Sequence, residues 1–409
     1  MTDSSQKTTS IPSFLTRGVQ QILPSAESLH ELMKTKTIRV YLGIDPTGFQ
    51  LTLGHAVVLR KLQQFVDAGH EVILLIGNAT VRIGDPTGRD KTRPEMTDEV
   101  IEQHFSNWKE QASRVLDFSK ITIKKNGDWL DALTFTDIVK LMAATTVQQL
   151  MERDMFQDRL KQKLPIFAHE LIYPILQGYD SVEMEVDLEI GGNDQTFNML
   201  YGRTMLKQMK NKEKWVLSTP LLVGNDGRKM GKSLNNFIPL ADPAPTLYRK
   251  LMQVVDEVIP QYLELLTDLP QDELDSLVSG LKDGSIHPLE AKKRMAFLVV
   301  ELLCGYDASI QAQLEFEKVV QAGELPKDLP ELRVKSGLSA KNLLIETHGT
   351  LTSASKSECA RLLAQGAVKL DEQTLLDDTL PVQIPDIGAI LRVGKKHAYR
   401  VLPKQEQDE

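Results

Sequence analysis

The chain has 409 residues, enough for two or three domains that each bury a core. Its formal net charge of −8 excludes a positive field spread over the whole molecule, so we expect any contact with nucleic acid to be local. Two cysteines far apart in the sequence exclude a disulfide framework, and no apolar run is long enough to cross a bilayer. We therefore expect a soluble, cytoplasmic protein.

A helical pattern over 14–34 precedes a strand–turn–helix unit. The unit has a predicted strand over 38–44, a turn at Asp45-Pro46-Thr47-Gly48 and a helix over 55–68. A second strand, predicted over 71–76, completes a βαβ arrangement. The turn places hydroxyl and backbone N–H groups at a helix N-terminus, which favours phosphate binding.

Further strands and helices alternate along the chain. The patterns predict a glycine-rich loop over 77–89 and helices over 97–116 and 195–209. They predict strands over 121–126, 182–190 and 215–223, the second because apolar and acidic residues alternate there. This alternation predicts an α/β fold with a doubly wound, Rossmann-like parallel sheet.

Downstream of residue 243 the patterns are helical only, until two prolines mark a linker. The last segment combines a helix capped by Ser355, a glycine turn and a hairpin, which predicts a small α+β module. Residues 335–404 carry ten Lys and Arg against seven Asp and Glu, so this module is the expected place for RNA. The expected divisions are a disordered tail at 1–10, a Rossmann-like domain at 11–234, a helical domain at 235–322, a linker at 323–336, an α+β module at 337–405 and a tail at 406–409.

Polar residues at the strand ends indicate chemistry on a polyphosphate. Lys229 and Lys232 lie three apart on a glycine-rich loop, and Ser233 adds a hydroxyl donor. Thr47 and His55 add donors from the first loop, and positioning with charge neutralisation is most of what phosphoryl-type transfer requires. The sequence has neither the P-loop spacing nor the dinucleotide spacing after its first strand, which disfavours both of those classes.

Two motifs in this order resemble the signatures of class I aminoacyl-tRNA synthetases: Thr52-Leu53-Gly54-His55 and Lys229-Met230-Gly231-Lys232-Ser233. Within that class the chain resembles the bacterial-type tyrosyl-tRNA synthetases over nearly its whole length. That narrower resemblance rests on Tyr41-x-Gly43-x-Asp45-Pro46-Thr47, Gly84-Asp85-Pro86-Thr87-Gly88, Tyr173 with Gln177-x-Tyr179-Asp180, and Gly191-Gly192-Asn193-Asp194-Gln195. Thr52 stands where the first signature usually begins with histidine, and Glu189 stands where glutamine is frequent.

The resemblance implies a role for each matching residue. Tyr41 and Asp180 would hydrogen-bond the phenolic hydroxyl of tyrosine, and Asp85, Tyr173 and Gln177 would hold its ammonium group. The complete implied tyrosine set is Tyr41, Gly43, Asp85, Tyr173, Gln177, Asp180 and Gln195, the last lying near the carboxylate.

The implied ATP set is Asp45, Thr47, Thr52, Gly54, His55, Gly192, Asp194, Met230 and Lys232. Thr47 and His55 would stabilise the transition state, and mobile clamps would bind pyrophosphate. The clamp residues are Arg89, Arg93, Lys229, Lys232 and Ser233.

The resemblance also implies that 11–234 is the catalytic domain and that the helical domain at 235–322 lies on the anticodon side. The final module, 337–405, resembles an RNA-binding module of ribosomal-protein type. Such modules bind RNA through backbone charge and shape. The implied contacts are Lys356, Arg361, Lys395 and Lys396.

The resemblance implies a tyrosine–tRNA ligase, a homodimer that uses L-tyrosine, ATP with Mg²⁺ and tRNA(Tyr), without a tightly bound metal of its own. Three alternatives stay open at this stage: a tryptophanyl-tRNA synthetase, a small-molecule nucleotidyltransferase, and a non-catalytic RNA-binding protein on a synthetase scaffold. An aspartate with a tyrosine hydroxyl suits a phenol better than an indole, whose single N–H group cannot satisfy both.

Overall fold

A computed structural model describes residues 11–87, 96–231, 234–318, 329–335, 337–352, 354–371, 373–376, 381–385, 388–394 and 397–404. The chain separates into two compact units, residues 1–310 and 311–409. The domain limits expected from the sequence stay predictions. Among the described residues, no helix combines the length and apolar character that crossing a membrane requires.

The first unit is built on a six-stranded sheet in the order β1-β6-β5-β2-β3-β4. Its strands are β1 (Gln21–Leu23), β2 (Arg39–Ile44), β3 (Glu71–Ile76), β4 (Thr122–Lys125), β5 (Leu188–Gly192) and β6 (Trp215–Thr219). All pairings are parallel except that of β1 with β6. The doubly wound parallel sheet expected from the sequence is thereby confirmed.

Helices cover both faces of this sheet and continue beyond it. Those before β5 are α1 (Ala26–Thr35), α2 (Leu53–Asp67), α3 (Thr80–Ile83), α4 (Asp98–Ala112), α5 (Gly127–Leu130), α6 (Phe135–Ala143), α7 (Val147–Met151), α8 (Asp154–Lys161) and α9 (Tyr173–Met184). Those after β5 are α10 (Thr196–Lys210), α11 (Ala244–Met252), α12 (Ile259–Leu266), α13 (Gln271–Asp283), α14 (Pro288–Cys304) and α15 (Tyr306–Phe316), within which the division between the units falls.

The core lies where these layers meet. In β3 every residue from Val72 to Ile76 is buried, as expected for a central parallel strand covered on both faces. Leu59, Leu62 and Phe65 of α2 are fully buried against the sheet. These elements fix the strand ends from which the polar loops emerge.

Two sequence-based predictions are wrong in this unit. The predicted strand over 182–190 is split: α9 runs to Met184, Glu185 takes a left-handed backbone, and β5 begins only at Leu188. Helix α9 is buried almost all round, so its sequence lacks the polar stripe that distinguishes a surface helix. The predicted helical stretch over 14–34 contains β1, which pairs with Val216–Ser218 of β6 and so depends on a contact distant in sequence.

The second unit contains a five-stranded sheet in the order β7-β11-β10-β8-β9. Its strands are β7 (Glu331–Val334), β8 (Val368–Leu370), β9 (Gln373–Thr374), β10 (Ala389–Val393) and β11 (His397–Pro403), and its helices are α16 (Ala340–Leu344), α17 (Thr350–Thr352) and α18 (Lys356–Ala364). The predicted hairpin is present as β10 and β11, and Ser355 caps α18 by accepting from the Glu358 N–H at 3.2 Å. The small α+β module is confirmed.

Candidate active site

One cavity of about 480 Å³ opens where the loops after β2, β3, β5 and β6 converge. This is the sheet edge at which open α/β sheets bind ligands. Its walls include every described residue of the expected tyrosine and ATP sets: Tyr41, Gly43, Asp45, Thr47, Thr52, Gly54, His55, Asp85, Tyr173, Gln177, Asp180, Gly192, Asp194, Gln195 and Met230, together with Lys229. Four expected residues, Arg89, Arg93, Lys232 and Ser233, lie outside the described residues.

Helix α4 holds the loop between β2 and α2 in place. The Gln111 amide accepts from the Leu51 N–H at 2.8 Å and donates to the Phe49 carbonyl at 2.7 Å. His104 Nδ1 lies 2.9 Å from the Pro46 carbonyl, and the Trp108 indole N–H donates to the Gly48 carbonyl. Hydrogen bonds from α4 therefore hold the loop that leads into the first motif.

The first motif also caps its own helix. The Thr52 backbone N–H donates to His55 Nδ1 at 3.1 Å, and Thr52 Oγ1 lies 3.0 Å from the same nitrogen. Because Nδ1 accepts from a backbone donor, the neutral imidazole carries its proton on Nε2. His55 thus offers an N–H donor at a helix N-terminus on the cavity wall.

The second motif lies on a loop held by Asn236, which is 2 % exposed. Its amide donates to Asp226 at 2.8 Å and to the Lys229 carbonyl at 3.1 Å, and it accepts from the Gly231 N–H at 2.9 Å. The Asn236 bond, with Arg228, lowers the pKa of Asp226 to about 2. No motif in the sequence indicates Asn236, whose importance rests on its burial.

The two motifs meet in space. A Cβ placed on Gly54 would lie 3.4 Å from Met230 Sδ, so the first helix turn and the second loop are in contact. Backbone bonds from the Leu53 N–H to the Ile238 carbonyl and from the Leu240 N–H to the Leu51 carbonyl, 3.0 and 2.8 Å long, join the flanking segments. His55 and Lys229 therefore line one cavity.

Asp180 is a buried acceptor at one end of the cavity. Its carboxylate accepts from the Trp129 indole at 2.8 Å and from the Asn126 amide at 3.2 Å. Asn126 is oriented by the Ala79 N–H, which donates to its oxygen at 3.0 Å. Burial raises the pKa of Asp180, and these two donors oppose that rise.

Tyr41 lies at the same end and is fully buried. Its hydroxyl lies 2.9 Å from Ser181 Oγ. Burial, together with the negative charges of Glu189 and Asp180, raises the pKa of the phenol well above its usual value, so Tyr41 is neutral. Behind it, Glu189 forms a buried ion pair with Lys214.

A second polar group occupies the middle of the cavity wall. The Tyr173 hydroxyl donates to Asp45 at 2.9 Å, and Asp85 accepts from the Gln195 amide at 2.6 Å. The Gln177 amide donates to Glu189 at 3.0 Å, which leaves its buried oxygen without a hydrogen-bond partner among the described residues. A buried acceptor in this state suits a ligand that brings a donor.

The remaining residues expected to contact ATP and RNA are placed as follows. A Cβ on Gly192 would lie 2.6 Å from the Asp194 carboxylate, so any other residue at 192 would force the Asp194 side chain to move. Lys356 and Arg361 are exposed on α18, where Arg361 lies 3.6 Å from Glu358. Lys395 and Lys396 fall outside the described residues.

Among the residues that the structure describes, no three side chains of His, Cys, Asp or Glu form a group that could hold a metal ion.

Several residues that line or support the cavity wall have no counterpart in the sequence-based expectations. Asn126 and Trp129 lie on the Asp180 side, and Ser181 and Lys214 lie behind Tyr41. None belongs to a recognisable motif, because each acts on another side chain that only the fold brings near. Glu189, which bonds Lys214 and Gln177, is a member of this network that the sequence does single out, because it stands where the family frequently has glutamine.

Comparison with known proteins identifies the family of the chain. Residues 33–321 match the family described as tRNA synthetases class I (W and Y). The chain is 39 % identical over 388 residues to the tyrosine–tRNA ligase of Thermotoga maritima, covering 95 % of this chain and 96 % of that protein. It is 40 % identical over 392 residues to the tyrosine–tRNA ligase of Moorella thermoacetica, covering 95 % and 94 %.

Solved structures share the fold at low sequence identity. A C-terminally truncated mitochondrial tyrosyl-tRNA synthetase of Aspergillus nidulans matches with a TM-score of 0.63 at 21 % identity, covering 75 % of this chain and 94 % of that one. The tyrosyl-tRNA synthetase of Archaeoglobus fulgidus, complexed with L-tyrosine, matches with a TM-score of 0.59 at 23 % identity, covering 73 % and 98 %. The chain therefore belongs to the class I tRNA synthetases of the tryptophan and tyrosine family, and within it to the tyrosyl-tRNA synthetases of bacterial type.

Proposed function

We propose that this chain is a tyrosine–tRNA ligase that uses the cavity above the sheet for amino acid activation. The carboxylate of L-tyrosine attacks the α-phosphate of ATP, and pyrophosphate leaves with the electrons of the broken P–O bond. The tyrosyl group of the adenylate then passes to a hydroxyl of the terminal ribose of tRNA(Tyr), and AMP leaves. Magnesium enters the proposal only as the ion that accompanies the ATP phosphates.

The observation that carries the tyrosine assignment is the pairing of a buried aspartate with a buried phenol at one end of the cavity. Asp180 accepts from Trp129 and Asn126 and can accept once more, from a substrate hydroxyl. Tyr41 lines the same wall. A phenylalanine ring would leave both groups unpaired, and this mismatch selects strongly against phenylalanine. Tyrosyl-tRNA synthetase is itself the standard example of such discrimination, with a preference for tyrosine over phenylalanine of roughly 10⁵-fold.

The middle of the cavity suits the ammonium and carboxylate of an amino acid. The unpaired Gln177 oxygen, Asp85 and the Tyr173 hydroxyl supply acceptors for an ammonium group. The Gln195 amide lies beside them, where a carboxylate would need a donor. We assign no general base, since the attacking carboxylate is already ionised.

The triphosphate would lie between the two motifs. His55 donates from Nε2 and Lys229 contributes a cation at the same cavity, so both favour the charge that develops on the leaving pyrophosphate. Thr47 adds a hydroxyl, and the clamp residues Arg89, Arg93, Lys232 and Ser233 complete the proposal. Gly54, Gly192 and Asp194 would line the adenosine.

The proposal includes a cytoplasmic homodimer that binds tRNA partly through Lys356, Arg361, Lys395 and Lys396. Exposed apolar side chains on α6 and α7 support a partner surface in the first unit. Phe135, Val139 and Met142 are spaced along one face of α6 and are 84 %, 47 % and 44 % exposed, and Val147 of α7 is 61 % exposed.

ATP–pyrophosphate exchange with tyrosine, tryptophan and phenylalanine tests the proposal. We expect exchange with tyrosine alone, and charging of tRNA(Tyr) when the tRNA is added. Exchange with tryptophan instead would identify the tryptophan enzyme, and no exchange with any amino acid would overturn the proposal. Asp180→Ala should abolish exchange with tyrosine; unchanged exchange would remove the assigned role of that residue.

A further inference from the structure

We propose that Lys214 and Ser181 are positioning residues that fix the direction of the Tyr41 hydroxyl, so that it presents its proton to the phenolic oxygen of the substrate. This inference rests on the proposed tyrosine-activating function. It concerns residues that lie behind the cavity wall and that do not themselves touch the amino acid.

The buried ammonium determines how Ser181 is bonded. Lys214 is 0 % exposed, forms an ion pair with Glu189 and donates to Ser181 Oγ at 2.8 Å. An ammonium group has donors only, so one lone pair of the serine oxygen is always occupied from the lysine side. Ser181 must then place its own proton on another acceptor.

Two acceptors compete for that proton, and their distances decide between them. The Tyr41 oxygen lies 2.9 Å from Ser181 Oγ, whereas the Glu189 oxygen lies at 3.5 Å. The Glu189 carboxylate is already bonded by Lys214 and by the Gln177 amide. The serine proton therefore goes to Tyr41, because 3.5 Å is beyond the usual range for O–H···O bonds.

The consequence is a one-way chain of hydrogen bonds from Lys214 through Ser181 to Tyr41. The Tyr41 oxygen accepts from Ser181, so its own proton needs another acceptor. The Glu189 carboxylate also hydrogen-bonds this hydroxyl, but it is already bonded by Lys214 and by the Gln177 amide. In the proposed arrangement the phenolic oxygen of the substrate therefore takes the Tyr41 proton on the cavity side. Asp180 receives protons from Trp129 and Asn126 and acts as an acceptor. The phenolic hydroxyl of the substrate then fits in one arrangement only. Its oxygen accepts from the Tyr41 hydroxyl, and its proton is donated to Asp180.

The packing around the ammonium supports a fixed position for it. A Cβ on Gly202 of α10 would lie 2.8 Å from Lys214 Nζ and 3.0 Å from Ser181 Oγ. The glycine therefore leaves the space that these two groups occupy. Lys214 Nζ also lies 5.9 Å from the centre of the Tyr41 ring, within cation–π range.

The first test is Ser181→Ala, which keeps the ion pair and removes the relay. We expect KM for tyrosine in ATP–pyrophosphate exchange to rise about tenfold, with kcat and the inhibition constant of phenylalanine changed less than about twofold. Ser218→Ala is the matched control, since that buried serine on β6 has no hydrogen-bond partner for its hydroxyl among the described residues and lies outside the cavity wall. Equal KM values for the Ser181 and Ser218 variants would overturn the inference.

The second test separates orientation from charge balance. Lys214→Met combined with Glu189→Gln removes both buried charges together, which avoids an unpaired carboxylate. We expect this double variant to fold and to show a raised KM for tyrosine, with the phenylalanine inhibition constant unchanged. A wild-type KM in the folded double variant would overturn the role of Lys214. Exchange with tyrosine by the unaltered protein tests the proposed function separately.

Discussion

A single buried amide, Asn236, organises the loop that carries the second motif. Its three bonds join Asp226, Lys229 and Gly231, and its backbone carbonyl accepts from the Asn225 N–H at 2.9 Å. A Cβ on Gly224 would lie 2.3 Å from the same amide, so the loop closes tightly around it. The position of Lys229 therefore depends on a residue that does not line the cavity.

Asn236→Ala should weaken the hold on this loop. Removing the side chain leaves the Gly231 N–H and the Asp226 carboxylate without that partner, a change that costs roughly 1–3 kcal/mol where such groups are buried. We expect KM for ATP to rise and kcat for exchange to fall, with KM for tyrosine little affected. Steady-state exchange kinetics measure this. Asn235→Asp is the control, because this neighbour is exposed and its left-handed backbone suits aspartate as well as asparagine.

The residues of the candidate site divide by how visible they are in the sequence. Tyr41, His55, Asp85 and Lys229 lie in recognisable motifs, and all four line the cavity. Ser181 and Lys214 are ordinary residues in sequence, and they acquire importance only because α9 and β6 come together. A motif records spacing along the chain, whereas their contacts span 33 residues.

At the scale of elements, the contact between α9 and α10 sets the back wall of the site. A Cβ on Gly202 would lie 3.2 Å from the Gly178 Cα, so the two helices approach closely at this pair of glycines. This close approach lets the Lys214 ammonium donate to Ser181 Oγ of α9 at 2.8 Å. Small residues at such a crossing allow the close packing that larger ones prevent.

Gly202→Ala should destabilise the protein, by roughly 1–3 kcal/mol, because the added methyl group overlaps Lys214 and Ser181. Gly349→Ala is the contrasting variant: it is also helical, and its Cβ would lie 3.4 Å from its nearest neighbour. There we expect little change, because Gly349 lies in the π-helical turn Ile345–Gly349 and the added methyl group meets no closer neighbour. Urea unfolding of both variants measures the difference, and equal midpoints would contradict the crowding argument.

Elements were predictable where local pattern and tertiary environment agree. The strands over 38–44 and 71–76 appear as β2 and β3 because their apolar residues are buried in a central sheet. β1 was missed because three residues at a sheet edge depend on their partner strand rather than on their own pattern. The end of α9 was misassigned because a helix buried on all sides and a buried strand look alike over a few residues.

At the scale of the whole molecule, one buried lysine should make stability depend on pH. Lys61 is 4 % exposed and donates to the Phe14 and Arg17 carbonyls at 2.6 and 2.9 Å. Burial, with the charges of Arg60 and Arg17, lowers the pKa of Lys61 to about 7. In the unfolded chain this pKa returns to about 10.4.

Between pH 7 and pH 9 the unfolded chain therefore binds more protons at Lys61 than the folded one, so the free energy of unfolding rises with pH. We expect the wild type to gain about 2 kcal/mol relative to Lys61→Met over this range. Urea unfolding at pH 7, 8 and 9 measures it. Lys34→Met, at an exposed ion pair, should run parallel to the wild type. Parallel behaviour of Lys61→Met would show that this lysine stays charged throughout.

The proposed homodimer makes a second prediction at this scale. Phe135→Asp places a charge within the exposed apolar face of α6 and should shift the protein from dimer to monomer, because burying an unpaired carboxylate in an interface is costly. Sedimentation velocity of the wild type and the variant measures this. Leu376→Asp changes a residue that is 70 % exposed in the other unit and should leave the assembly state unchanged. A dimeric Phe135 variant would place the partner surface elsewhere.

The cap at the start of α2 affects how freely the first motif can vary. The bond that fixes the His55 proton on Nε2 comes from the backbone N–H of residue 52, and every amino acid except proline has that group. The backbone therefore supplies one contact to Nδ1 whatever the side chain of residue 52, and the Thr52 hydroxyl supplies a second. Threonine in place of the family's usual histidine therefore keeps the backbone bond that holds the His55 proton on Nε2, and it adds a hydroxyl contact to the same nitrogen.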